Sequence, residues 1–141
     1  MSDEPLRPDP DRLLQHTAAP HRGKLKVFFG ACAGVGKTWA MLAEAQRLRA
    51  QGLDILIGVA ETHGRKETAA MLQGLSTLPP RRLAHRGRYV YEFDLDAALA
   101  RRPALILVDE LAHSNAPGSR HPKRWQDVDE LLEAGIDVFT T

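Results

Sequence analysis

The sequence predicts an α/β domain in which a mostly parallel sheet is covered by helices on both faces. Short apolar runs alternate with segments of helical periodicity from residue 24 onward, which is typical of such sheets. The chain has 141 residues, of which 43% are hydrophobic, enough apolar surface for a single core. We therefore expect one folded domain over 23–141, preceded by a flexible tail over 1–22 that holds four of the nine prolines.

Four short apolar runs predict the strands. In chain order they are "LKVFFG" (25–30), "DILIGVA" (54–60), "ALILVDE" (104–110) and "IDVFTT" (136–141). Helical segments separate successive runs, so the strands that they connect are expected to run parallel.

Helical periodicity predicts four helices. The segments are 36–51, 66–75, a short one after Asp94, and about 122–134. Asp94 is a typical N-cap, Pro122 suits a first turn, and Gly52 and Gly135 are placed to end the first and last helices. The apolar side chains of the first helix are Trp39, Leu42, Ala45 and Leu48, and those of the last are Trp125, Val128 and Leu132. The stretch 76–88 has no pattern that assigns it.

A glycine-rich turn, "GACAGVGKT" (30–38), joins the first strand to the first helix. Gly36, Lys37 and Thr38 match the Walker A pattern strictly, whereas Ala31 takes the place of the leading glycine, with Gly30 one position earlier. Backbone N–H groups and the helix dipole make such a turn a phosphate site. The predicted nucleotide-binding residues are Gly30, Ala31, Cys32, Ala33, Gly34, Val35, Gly36, Lys37, Thr38 and Asp109. The alternative is a glycine turn with a solvated lysine, and for Cys32 a small loop side chain is favoured over a redox sensor.

The third apolar run ends in Asp109 and Glu110, which is typical of a Walker B strand. Lys37 is expected to reach the β- and γ-phosphates, while Thr38 and Asp109 are the predicted ligands of Mg²⁺. Glu110 is a candidate general base for an attacking water. Standing alone, the pair would be read as two surface acids at the end of a strand.

These two motifs predict a P-loop NTPase-like, three-layer αβα fold. Adjacent acids after the Walker B strand indicate the branch in which one further strand lies between it and the phosphate-loop strand. In chain-order numbering of the four strands, the sheet order is then 2-3-4-1. Thr140 or Thr141 would end beside the γ-phosphate, and we expect the domain to continue beyond Thr141.

Two loops offer further candidates. Glu61, His63 and Arg65 follow the second strand and are expected along the ligand-binding rim, although a plain turn with solvated charges fits as well. After Glu110 comes "AHSNAPGSRHPKRW" (112–125), whose Arg120 is a candidate catalytic arginine finger. Together with His121, Lys123 and Arg124, it could also fold over the triphosphate as a basic lid. A loop with its basic residues in water is weighed equally.

Composition excludes several classes. Lys plus Arg is 19 against 18 acidic residues, which provides no overall field for nucleic acid or anionic membranes. The basic stretch 81–88 lacks interleaved aromatic residues, so a solvated face is favoured over nucleic-acid binding. One cysteine excludes an internal disulfide, and we see neither a secretory signal nor a membrane-spanning run. We expect a cytoplasmic domain.

Four stretches resemble one family. They are "GACAGVGKTWAMLAEA", "GVAETHGRKET", "LILVDELAHSNAPGSRHPKRWQDVDELL" and "GIDVFTT". Together they resemble the N-terminal cytoplasmic domain of KdpD-type sensor histidine kinases, the bacterial sensors of potassium limitation and turgor, over residues 24–141. The family often has proline at the position of Ala33 and tyrosine at that of Trp39, and neither change affects phosphate binding.

The resemblance implies a regulatory domain that binds ATP and Mg²⁺ and tunes the balance between kinase and phosphatase activities of a distant catalytic core. It also implies a full-length autokinase in the bacterial inner membrane, a homodimer that acts on a response regulator. The fragment's partners would be the other domains of that protein, with no nucleic acid and no direct membrane contact. None of the six histidines is expected to be the phosphoacceptor.

Three functions therefore compete. The first is a regulatory ATP sensor, and the second is a free-standing P-loop NTPase or small-molecule kinase. The third is a degenerate P-loop fold that serves as an interaction scaffold. The presence of Lys37, Thr38, Asp109 and Glu110 argues against the third.

Overall fold

The computed structural model describes residues 21–30 and 36–141. Its strands are β1 (Leu25–Val27), β2 (Ile55–Val59), β3 (Ser76–Thr77), β4 (Arg81–His85), β5 (Arg88–Glu92), β6 (Leu105–Val108) and β7 (Asp137–Thr140). Its helices are α1 (Lys37–Ala50), α2 (Lys66–Ala70), α3 (Leu95–Arg101) and α4 (Arg124–Glu133). Within the described ranges, no helix has the length and apolar character needed to cross a membrane.

Five strands form a parallel sheet in the order β1-β7-β6-β2-β3. The order predicted for the four apolar runs is therefore confirmed, and the short strand β3 adds an edge beyond β2. Strand β6 lies at the centre, where Leu105 pairs with Ile55 on one side and Asp137 on the other. Because the strands are parallel, their carboxyl ends meet at one edge of the sheet.

Each face of the sheet packs against helices. Strand β6 is fully buried, with Leu105 and Leu107 on one face and Ile106 and Val108 on the other, as alternation along a strand requires. Against the first pair pack Met41, Leu42 and Ala45 of α1. Against the second pack Leu95 and Ala98 of α3 and Val128, Leu131 and Leu132 of α4. The predicted layering of helix, sheet and helix is observed.

The two tryptophans do not belong to these cores. Trp39 is 44% exposed and Trp125 is 54% exposed, whereas Met41 and Leu42 are fully buried. Since a helix turns about 100° per residue, side chains at every third position drift by about 60° per step and cannot all face the core. The every-third-residue pattern in the sequence therefore overstated the width of the apolar face.

Helix α2 is shorter than the predicted segment 66–75. It ends at Ala70, and the following residues form a series of turns with i→i−3 hydrogen bonds. The Gln46 side-chain amide donates to the carbonyls of Met71 and Gln73 at 2.7 and 2.8 Å. Gly74 then takes a φ of 85°. A side chain of α1 thus provides hydrogen-bond donors for main-chain carbonyls just after α2.

The unassigned stretch contains a β-hairpin. Strands β4 and β5 pair in antiparallel register from Arg81↔Glu92 to His85↔Arg88. The connecting residues Arg86 and Gly87 have φ of 52° and 75°, the left-handed conformation that a two-residue hairpin turn requires. This hairpin forms a sheet of its own beside the five-stranded sheet.

Asp94 is the N-cap of α3, as the sequence predicted, because its Oδ1 accepts a hydrogen bond from the Ala97 N–H at 3.0 Å. We expect Asp94→Ala to lower the free energy of unfolding by about 1 kcal/mol through the loss of this acceptor. Urea denaturation measures the change, with Asp94→Asn as the control that keeps an acceptor. Equal losses in both variants would contradict the capping role.

Candidate functional site

The carboxylate of Asp109 lies at the carboxyl end of β6 and is 1% exposed. Its Oδ2 accepts from the Thr38 hydroxyl at 3.0 Å and from the Glu61 N–H at 2.9 Å. Its Oδ1 accepts from the Glu110 N–H at 3.1 Å and from the Thr141 hydroxyl. The segments that follow β1, β2, β6 and β7 therefore meet at one buried carboxylate.

Lys37 and Thr38 are the first two residues of α1, and they follow the predicted phosphate loop directly. Gly36 precedes them, where a Cβ atom would lie 2.7 Å from the Cβ of Trp39. Only glycine fits that approach without a shift of the helix. The predicted loop residues Ala31 to Val35 lie outside the described residues.

A cavity of about 430 Å³ opens at this edge of the sheet. It is lined by Lys37, Thr38, His63, Asp109, Glu110, Ala112, His113 and Thr141. Glu110 has a left-handed φ of 60° and a side chain that is 43% exposed, with its Oε1 3.8 Å from Nε2 of His63. The cavity thus joins a lysine, two threonine hydroxyls and two carboxylates, a set of groups suited to a phosphate group with a divalent cation.

Comparison with known proteins decides the family. The sequence model named KdpD, described as the osmosensitive K⁺ channel His kinase sensor domain, matches residues 21–141. The chain belongs to this KdpD sensor-domain family. It is 85% identical over its whole length to the sensor protein KdpD of Escherichia coli strain K12, and it spans 16% of that protein.

More distant relatives carry the same name. A sensor protein KdpD of Mycobacterium tuberculosis is 50% identical over 92% of the chain, which spans 15% of that protein. A putative sensor protein KdpD of Synechocystis is 54% identical over 92% of the chain, which spans 35% of that protein. The KdpD sensor domain described above is therefore a small part of the relatives it matches.

The structure brings Lys37, Thr38, Asp109 and Glu110 to one cavity but not Arg120. The guanidinium of Arg120 pairs with Asp96 in the first turn of α3 and with Glu130 in α4. These partners hold Arg120 away from the residues that line the cavity.

The rest of the loop over 112–123 is also held by its own contacts. His121 Nε2 lies 2.8 Å from Glu130 Oε1, and Lys123 Nζ donates to Ser114 Oγ at 2.7 Å. The Asn115 side-chain amide donates to the His121 carbonyl at 2.9 Å. The predicted basic lid over the phosphates is thus not seen in this conformation of the KdpD sensor domain.

Arg124 is the basic residue of this region that contacts the site, through the main chain of Asp109. It is 4% exposed, and its Nη1 donates to the main-chain carbonyl of Asp109 at 2.9 Å. Its Nη2 lies 3.6 Å from Oε1 of Glu92 at the end of β5. Burial lowers the pKa of the Arg124 guanidinium, and the nearby carboxylates of Glu92, Glu110, Asp127 and Asp109 oppose that change.

Glu92 and His113 are functional-site neighbours that sequence reasoning missed. His113 Nε2 lies 3.0 Å from Glu92 Oε1, and Oε2 of the same carboxylate accepts from the Ala116 N–H at 2.7 Å. A single glutamate at the end of an unassigned stretch carries no sequence signal for these contacts. Thr141, which the sequence places near the γ-phosphate, lines the cavity and contacts Asp109 and the Glu110 N–H.

Arg124 and Arg120 provide a matched pair of variants. We expect Arg124→Met to lower the free energy of unfolding by about 3–5 kcal/mol, because it leaves buried acceptors without their cation. Arg120→Gln removes exposed ion pairs and is expected to cost at most about 1 kcal/mol. Urea denaturation of both variants measures the difference, and similar losses would contradict the buried role of Arg124.

Proposed function

We propose that the chain is the ATP-binding regulatory input domain of a KdpD-type two-component sensor histidine kinase that responds to potassium limitation or osmotic stress. The observation that carries the proposal is the 3.0 Å hydrogen bond between Thr38 and Asp109 beside Lys37, in a cavity of about 430 Å³. Family membership supports the signalling role. In the whole protein, nucleotide binding would shift the balance between kinase and phosphatase activities.

The residues of the cavity fit a nucleotide with Mg²⁺. Lys37 would bind the β- and γ-phosphate oxygens at the start of α1, where the helix dipole adds positive potential. Thr38 and Asp109 present a hydroxyl and a carboxylate oxygen 3.0 Å apart, the hard ligands that Mg²⁺ prefers. Mg²⁺ would neutralise phosphate charge there. Glu110 extends into the same cavity and would orient a water molecule.

The regulatory step in this proposal uses the loop over 112–123. Its first residues, Ala112 and His113, line the cavity, so a bound triphosphate would contact the start of the loop. ATP shifts the loop only if it binds two loop states with different affinity. The partners would be the remaining domains of a full-length, membrane-bound homodimer and, through them, a response regulator.

We expect ATP with Mg²⁺ to raise the melting temperature of the chain. Lys37→Ala should weaken ATP binding by about ten- to a hundredfold, because it removes charge-assisted hydrogen bonds. Calorimetry with ATP, ADP and GTP measures the affinities, and Lys24→Ala at the opposite edge of the sheet is the control. An unchanged melting curve at millimolar ATP would remove every nucleotide-based function.

A second cavity favours one alternative, a free-standing P-loop NTPase or small-molecule kinase. It measures about 320 Å³, and it shares Glu110 and His113 with the first cavity. Its apolar walls include Val59, Leu78 and Phe93. An acceptor molecule bound there would lie next to the terminal phosphate.

Turnover separates the two functions. For the regulatory domain we expect phosphate release below about 1 per second, because Arg120 is paired with Asp96 and Glu130 and does not line the cavity. Steady-state phosphate release with ATP and Mg²⁺ measures the rate. Sustained release at ordinary enzyme rates, abolished in Glu110→Gln, would favour the catalyst.

A further inference from the structure

The β4–β5 hairpin carries an exposed strip that the nucleotide site does not use. Arg82, Ala84, Tyr89 and Tyr91 alternate along the two strands and are all exposed, the tyrosines by 60% and 62%. Arg82 lies opposite Tyr91, and Ala84 lies opposite Tyr89. These four residues are called the outer face of the hairpin.

The exposed part of the hairpin is positively charged. Residues 81–91 contain four arginines and no acidic residue, although the whole chain has 19 basic and 18 acidic residues. Glu92, which ends β5, is 9% exposed and is engaged by His113 and the Ala116 N–H. The outer face therefore presents a local positive field that the net charge of the chain conceals.

The chemistry of the outer face favours carboxylates. The guanidinium carbon of Arg82 lies 4.2 Å from the centroid of the Tyr89 ring. A guanidinium over a ring keeps its N–H donors in its own plane, where they can bind a carboxylate in a forked geometry. Tyrosine and arginine are also among the side chains that contribute most at protein interfaces.

Two other partner classes fit less well. Arg82 covers one face of the Tyr89 ring, which leaves less of it for stacking a nucleic-acid base. Ala84 is the one aliphatic residue of the outer face, so beside its two tyrosines the strip offers no large aliphatic side chain for insertion into lipid. Along one strand, side chains two residues apart are about 7 Å apart, which matches alternate residues of an extended polypeptide.

We propose that the outer face of the hairpin docks an extended, acidic polypeptide segment with carboxylates at alternate positions. Arg82 on the outer face and Arg86 in the adjoining turn would bind the carboxylates, and Tyr89 and Tyr91 would pack against the backbone and stems of the segment. All four residues of the outer face are exposed, so this face is open to such a partner.

Contacts at the base of the hairpin join it to the cavity. Glu92 lies 3.0 Å from His113, which lines the cavity, and 3.6 Å from Arg124, which holds the Asp109 carbonyl. A shift of His113 on nucleotide binding would therefore reach the end of β5. Docking at the outer face is thus linked to nucleotide occupancy, a step that rests on the proposed function.

The docking is tested by NMR titration of the ¹⁵N-labelled chain with a peptide of alternating glutamate and serine, and with its glutamine counterpart. We expect shifts of hairpin amides that the glutamine peptide does not cause and that salt weakens. Arg82→Gln/Arg86→Gln should weaken binding by about tenfold, whereas the control Arg47→Gln/Arg49→Gln on α1 should not. No shifts at about 10 mM peptide, or equal losses in the control, would overturn the docking proposal. Tighter binding to oligothymidylate or to phosphatidylglycerol vesicles would also overturn it.

The linkage is tested by repeating the titration with ATP and Mg²⁺. We expect peptide affinity to change by about fivefold, and Glu92→Gln to abolish that change while ATP still raises the melting temperature. His113→Gln is the second variant if Glu92→Gln fails to fold. An unchanged affinity with ATP bound overturns the linkage. Failure of ATP to bind removes the linkage together with the proposed function, and the first titration still decides the docking.

Discussion

The arrangement of the carboxyl edge depends on the burial of one charge, the carboxylate of Asp109. A buried carboxylate is tolerated only when hydrogen-bond donors surround it. Here the donors come from Thr38 in α1, Glu61 after β2, Glu110 after β6 and Thr141 after β7. They can meet only because β6 lies between β2 and β7 in a parallel sheet. The residues that line the cavity therefore depend on the order of the strands.

Arg124 supplies the compensating charge below this edge. Its guanidinium contacts the Asp109 carbonyl and lies near Glu92, so one buried cation serves the β6 terminus and the base of the hairpin. The main-chain N–H of Arg124 also donates to the His113 carbonyl at 3.0 Å, which closes the loop on the first turn of α4. The loop is consequently held at both ends by residues next to the cavity, and the contacts of Arg120 and His121 with Glu130 hold the middle.

The sequence predicts the central sheet well, because the apolar runs are short, strong and separated by helical segments. The Asp94 cap and the end of α1 were likewise predicted from local signals. The hairpin was not predicted. Its inward positions include only two apolar residues, Leu83 and Val90, which is too few to form a recognisable strand pattern. Sequence also cannot tell which basic residue of the loop is buried, because that depends on where α4 begins. The roles of residues 31–35 in phosphate binding, and of Glu110 in chemistry, stay predictions.

The backbone conformation of Glu110 destabilises the fold. A side chain larger than glycine at a φ of 60° is strained by about 1 kcal/mol or more, and asparagine or glycine would suit that backbone better. The turn directs the Glu110 N–H inward to Asp109 and Thr141 while its acid group stays half in solvent. A search for stabilising substitutions would therefore select against this acid, so thermostability and retention of the carboxylate are opposed at this position.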